Sequence, residues 1–274
     1  MNNIFSTEHI NNNQVYFYFD SILKKTSELT NSSPKLQNEL FYWANVMFQK
    51  YKIQFYSVMK LTYTLTQDPK GKYEYFDIVS INNIIRCCYE TYLLFNYIYF
   101  PSSNLDEIKL KFLFYKYNGY KDASDVTLKN SDKHNAALKE MDNIKKEIYQ
   151  NSEFKKLTKK AKNDLFLSWK PSWNIISKNT ILSNWNSKMQ YNILCQYSHN
   201  SFSSLTTINY HYTNLDKYDF DAINCQLYEV TTLFIESILL FFDLTLDAFS
   251  TDEVNLMSEF KSMATRDLDF FSNK

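Results

Sequence analysis

Glycine is almost missing from this chain: Gly71 and Gly119 are the only two in 274 residues, and proline occurs only at Pro34, Pro69, Pro101 and Pro171. Tight hairpins and phosphate-binding loops need positive φ or close backbone approach, which glycine supplies. A chain this poor in glycine has little with which to build extensive sheets or α/β nucleotide folds. No G-x-x-x-x-G-K, G-x-G-x-x-G, G-x-S-x-G or H-E-x-x-H motif occurs either, so nucleotide-loop, dinucleotide, α/β-hydrolase and zincin readings have no support. Helices need no glycine. The expected fold class is all-α, a single large helical bundle over residues 1–274.

An excess of charge is also lacking. Thirty basic residues meet thirty acidic ones, so no global field favours nucleic acid or an anionic membrane. The opening MNNIFSTEHINNN has no basic n-region followed by an apolar stretch, which argues against a signal peptide. The most apolar run, Val230 to Leu246, is broken by Glu236 and Asp243, neither comfortable against lipid. Cys87, Cys88, Cys195 and Cys225 show no C-x-x-C spacing, which suits thiols in a reducing cytoplasm. The expectation is a cytoplasmic protein with no membrane span, metal or cofactor.

What is abundant is aromatic and lysine. Tyr and Phe number 22 each, beside many Asn, Lys and Ile, as a low-GC genome would give, so most rings read as ordinary core. Lysines outnumber arginines 28 to 2, and an arginine is therefore conspicuous.

Periodicity predicts about seven or eight helices. A first helix spans about Asn13 to Leu29. A second runs from Pro34 to about Leu65, with Leu40, Ala44, Met47, Tyr51, Phe55, Val58 and Thr62 recurring at threes and fours. Thr66–Tyr75 is the clearest loop, and Phe76–Phe100 forms the next helix, stopped by Pro101. A shorter helix, Asp106–Lys116, is expected to end near Asn118-Gly119. Residues 120–165 form a Lys-rich surface insertion with one or two amphipathic helices. Trp169-Lys-Pro-Ser-Trp173 reads as a structured turn, because two tryptophans favour burial. Helices follow at about Leu182–Phe202, Asp219–Phe249 and Asp252–Phe271.

Two of these helices are apolar nearly all round, which places them centrally. Phe76–Phe100 keeps one polar stripe, Asn83, Arg86 and Glu90. Asp219–Phe249 carries Glu229, Glu236 and Asp243 at intervals of seven, a charge row expected to face water.

Arg86 and Glu90 stand at i and i+4 and can pair on one helical face. The cation lies N-terminal, the weaker order for helix support, so a merely local role is less attractive. Burial of such a pair costs several kcal/mol unless further partners satisfy it, and arginine's planar, permanently charged fork suits a site that needs orientation. Structural and functional readings stand level here. His199 shares a helical face with Cys195 and admits three readings: a metal half-site, a Cys–His nucleophile pair, or a hydrogen-bonded histidine. Zinc needs three or four ligands, and His9, His134 and His211 supply no matching spacing. A cysteine nucleophile needs a lowered pKa and an oxyanion site, and neither is visible. The third reading is preferred, with general acid–base work within its reach. In the Lys-rich segment, Lys145, Lys146, Lys155, Lys156, Lys159, Lys160 and Lys162 are partly balanced by Glu140, Asp142, Glu147 and Glu153. A solvated face is the simpler reading and a phosphate-backbone contact surface the sharper one.

Asn83-Ile-Ile-Arg86-Cys-Cys-Tyr-Glu90, followed about a hundred residues later by Tyr191-x-x-Leu194-Cys195-x-x-x-His199, resembles a group of uncharacterised bacterial helical proteins. That group pairs an R-x-x-x-E helix with a Y-x-x-L-S-x-x-x-H helix. The match covers two helices, about a sixth of the chain, and Cys195 stands where the group carries serine. More distantly the pattern is similar to the HEPN superfamily, helical bundles that are often RNases of toxin and antiviral systems. HEPN nucleases place an arginine a few residues before the histidine on one helix; here the arginine comes from another. The resemblance implies a HEPN-like core first. It further implies an endoribonuclease with catalytic Arg86, Glu90 and His199, binding residues Tyr191 and Asn83, RNA as partner, and a homodimer. The competing reading is a non-catalytic interaction or regulatory module with an Arg–Glu–His network.

Overall fold

In the computed structural model, residues 39–63, 66–67, 74–75, 77–100, 104–169, 171–178, 180–183 and 185–198 are described, with single positions 202, 205, 206, 208, 209, 233, 236 and 237. Among them lie eight α-helices: α1 Glu39–Tyr63, α2 Ile78–Tyr99, α3 Leu105–Val126, α4 Asp132–Gln150, α5 Ser152–Lys156, α6 Lys159–Leu167, α7 Trp173–Ile176 and α8 Trp185–Ser198. The fold is all-α, as glycine scarcity implies. The ends of the expected loop after α1 pair as two short antiparallel strands, β1 Thr66–Gln67 and β2 Glu74–Tyr75. The expected helices at 13–29 and 252–271 fall outside the described residues, as does all but three positions of the one at 219–249. No described helix is long and apolar enough to cross a membrane.

The chain divides into two compact units, one of Met1–Tyr92 with Asn184–Lys274, the other of Leu93–Ser183. In the first, α1 buries Ala44, Met47, Phe48, Tyr51, Phe55 and Val58, the 3–4 spacing read from the sequence. The Asp77 carboxylate accepts the Ser80 N–H at 3.0 Å, capping the start of α2. Within this unit α2 buries Ile81, Ile85, Cys88, Tyr89 and Tyr92, as a central helix should. Gln54 on α1 accepts a 2.9 Å hydrogen bond from Thr91 on α2.

The second unit contains the whole 120–165 segment and is built on α3 packed along α4. Leu110, Leu113 and Phe114 from α3 meet Ile144 and Ile148 from α4, and Phe154 from α5 closes the cluster. Three helices occupy the Lys-rich segment, because Phe154, Leu165 and Phe166 each have a core to enter. Trp169 packs on the same cluster, as a structured turn requires. Asn151 ties the unit together at the α4–α5 junction. Its Oδ1 accepts the backbone N–H groups of Glu153 and Phe154 at 2.9 and 3.1 Å, while its Nδ2 donates to the Asp106 carbonyl of α3 at 2.9 Å.

The helix expected to stop near Gly119 runs on to Val126. Glycine in a helix interior costs about 1 kcal/mol relative to alanine, but Tyr117 and Tyr120 on either side pack against the core and outweigh that cost. A Cβ at Gly119 would meet nothing within 4 Å. Gly119→Ala is therefore expected to stabilise the protein by about 0.5–1 kcal/mol, read as an upward shift in the urea midpoint with unchanged m-value.

Candidate functional site

Four residues of α2 share one face. Asn82, Arg86 and Glu90 follow at steps of four, and Asn83 lies beside them on the same polar arc. Arg86 Nε stands 3.4 Å from Glu90 Oε1, with the side chains 23% and 36% exposed. The pair is neither sealed nor fully open to water. From α8, the Tyr191 hydroxyl donates to the same Glu90 oxygen at 2.8 Å, across 101 residues of sequence. This second contact is the tighter one, within the range of a charge-assisted hydrogen bond, whereas the ion pair is longer. The Tyr191 ring also lies 6.5 Å from that of Tyr89, and Leu194 anchors α8 in the core. Burial pushes the Tyr191 hydroxyl well above its ordinary range, and the hydrogen bond to Glu90 adds to the rise. Tyr191 is therefore a fixed donor, not an acid, at neutral pH.

The structure thus brings together three of the five expected site residues, Arg86, Glu90 and Tyr191, and sets Asn83 beside them. His199 follows the last residue of α8 and lies outside the described residues. Asn82 was not anticipated. It is 1% exposed, its Nδ2 donates to the Ile78 carbonyl at 3.0 Å, and its Oδ1 has no hydrogen-bond partner among the described residues. The same holds for Asn83 Oδ1. The signal for Asn82 was present as the step of four before Arg86, hidden by reading the stripe through Asn83 alone. Two buried amide oxygens beside a guanidinium offer acceptors that favour an N–H or O–H donor. Among the described residues no group of three His, Cys, Asp or Glu side chains is gathered as a metal would need.

The opposite side of α2 corrects the expectation that Glu236 faces water. Glu236 is partly buried and accepts a hydrogen bond from the Tyr92 hydroxyl. Glu229 and Asp243 of the same row lie outside the described residues. Seven-residue spacing places charges on one face but does not say whether that face meets water or a tyrosine. Burial pushes the Glu236 carboxyl above its ordinary range, against a smaller downward pull from the Tyr92 hydrogen bond. The folded state therefore holds this proton more tightly than the unfolded chain. As pH rises past the ordinary glutamate value of about 4.3, the unfolded carboxyl ionises first and stability falls, until the folded carboxyl ionises as well. Glu236→Gln is expected to remove that decline. Urea midpoints of both proteins between acidic and neutral pH check it, and parallel curves would refute it.

Compared with protein-family models, curated proteins and solved structures, the chain matches none.

Proposed function

We propose that this chain is a HEPN-like helical protein of bacterial antiviral defence or toxin type, and that its Arg86–Glu90–Tyr191 cluster, completed by His199, cleaves RNA without a metal ion. One observation carries the reading: the helix bearing R-x-x-x-E and the helix bearing Y-x-x-L meet at Glu90 through a 2.8 Å hydrogen bond. Partial exposure of Arg86 and Glu90 supports access by a substrate. In this scheme neutral His199 takes the proton of a ribose 2′-hydroxyl as its oxygen bonds to phosphorus. The resulting imidazolium returns a proton to the 5′ oxygen as the phosphorus–O5′ bond breaks. Arg86 offsets the charge that builds on the phosphoryl oxygens. Glu90 orients Arg86, and Tyr191 holds Glu90.

Incubating the full chain with RNA in the presence of EDTA tests the scheme. Wild type should cleave, and His199→Ala should be slower by about 100-fold or more, the usual weight of a general acid–base group. Equal cleavage by the two proteins, or none by either, would overturn it.

A second reading has its own support. Glu90 answers both Arg86 and Tyr191, so the cluster also suits a polar cross-link between α2 and α8 in a non-catalytic interaction module. It expects RNA to survive both proteins, with stability alone responding to changes at Glu90.

A further inference from the structure

The second unit carries a surface whose chemistry points to a ligand. Tyr149, near the end of α4, is 52% exposed. Its ring stands edge-on to Phe154 at 5.3 Å and lies 6.1 Å from Phe166, while those two rings are 6.0 Å apart. The exposed ring thus rests against one buried ring, Phe154, and one partly buried ring, Phe166. Each of those two carries a cation. Lys145 Nζ lies over Phe166 at 5.7 Å, and Lys162 Nζ lies over Phe154 at 5.2 Å. Neither lysine has a carboxylate partner among the described residues. Lys162 also donates to the Lys155 carbonyl at 3.2 Å, which draws α6 to the end of α5.

The local charge is strongly one-sided in a chain that is neutral as a whole. Residues 145–164 contain seven lysines against three carboxylates. Two of those carboxylates are engaged, Glu147 with Lys109 at 3.8 Å and Glu153 with Lys156 at 2.7 Å. Three of the lysines open α6, whose first turn carries no acid. Cations there oppose the helix dipole and weaken the helix, so helix stability does not account for them. An exposed aromatic ring braced by two others that each carry a cation matches the way proteins hold single-stranded nucleic acid, with a base on the ring and phosphates on the nearby charges. An apolar partner would not need the lysines, and a bare anion would not need the ring.

We propose that this face of the second unit, formed by Tyr149 with Lys145 and Lys162, docks single-stranded nucleic acid. The inference does not rest on cleavage at Arg86 and His199. A 15-nucleotide dT probe has no 2′-hydroxyl and cannot be cut by that route, so it reads binding alone; a U probe of the same length reports whether the sugar matters.

The experiment is fluorescence anisotropy of labelled dT and U probes with the full chain over a salt series, beside sedimentation with phosphatidylserine vesicles. Wild type should bind both probes, more weakly as salt rises. Tyr149→Leu, which keeps an apolar side chain but removes the ring, should weaken binding at least about 5-fold with an unchanged salt slope. Lys145→Gln with Lys162→Gln should lessen that log–log slope by about 1.4, two phosphate contacts' worth. The salt slope of the lysine variant counts phosphate contacts, so it decides the matter even if Tyr149→Leu lowers the melting temperature. No binding to either probe at low salt, binding indifferent to both variants, or binding to vesicles alone would overturn the proposal.

Discussion

Phe154→Ala should destabilise the second unit by about 3–5 kcal/mol, the usual cost of truncating a buried phenylalanine to alanine. Phe154 is 1% exposed and stands between Phe114 at 6.1 Å, Phe166 at 6.0 Å and Tyr149 at 5.3 Å. It comes from α5, a helix of only five residues, and such a helix contributes little stability of its own. The ring is what packs α5 against α3 and α4, and alanine would leave a cavity beside Phe114, Phe166 and Tyr149. Native-state hydrogen exchange is the measurement. Amides of α3, α4 and α6 should lose protection by roughly that amount, whereas Phe154→Leu should cost less than half as much, because it keeps most of the buried volume. Equal, small losses for the two variants would show that the cluster does not depend on this ring.

Glu90→Ala is expected to cost about 2 kcal/mol. A hydrogen bond to a charged group contributes about 1.5–3 kcal/mol, and that range describes the bond from Tyr191 at 2.8 Å. The ion pair with Arg86 adds less, since both side chains reach solvent and exposed pairs contribute about 0–1 kcal/mol. Glu90→Gln separates the two contributions. The amide oxygen still accepts from Tyr191, so the bond is kept without its charge assistance and the loss should be smaller than with Ala. Urea unfolding of the three proteins gives the comparison. If Gln costs as much as Ala, the ion pair dominates and the ranking of the two contacts is wrong. The same pair of variants bears on function. In the proposed ribonuclease, Glu90→Gln frees Arg86 from its orienting charge and should slow cleavage despite its mild effect on stability. In a purely structural cross-link the two variants differ in stability alone.

Much of the fold was legible because it depends on short-range physics. The spacing of Ala44, Met47, Tyr51, Phe55 and Val58 marks a helix and also its buried face, since residues three and four apart share a side whatever the partner. The near-continuous apolarity of α2 announced a central helix, and glycine scarcity announced the class. Arg86 and Glu90 were visible as a pair for the same reason: one turn of helix brings them together without any tertiary contact.

Other features were decided only by what lay across the interface. Glycine at 119 looked like a stop because its local cost is real, yet the burial of Tyr117 and Tyr120 is larger, and α3 continues. Glu236 looked like a solvent charge, and it is instead a partly buried acceptor for the Tyr92 hydroxyl. Asn151 caps α5, and its Nδ2 reaches the Asp106 carbonyl, which no pattern of neighbours predicts. Tyr191 acquires its role from Glu90 in the same way. The sequence by itself determined that this protein is helical, which faces of α1 and α2 are apolar, and that Arg86 and Glu90 can pair. Tertiary structure alone decided which polar groups are buried and what they bond, because periodicity repeats within a single helix, whereas a hydrogen bond between helices depends on which two surfaces meet.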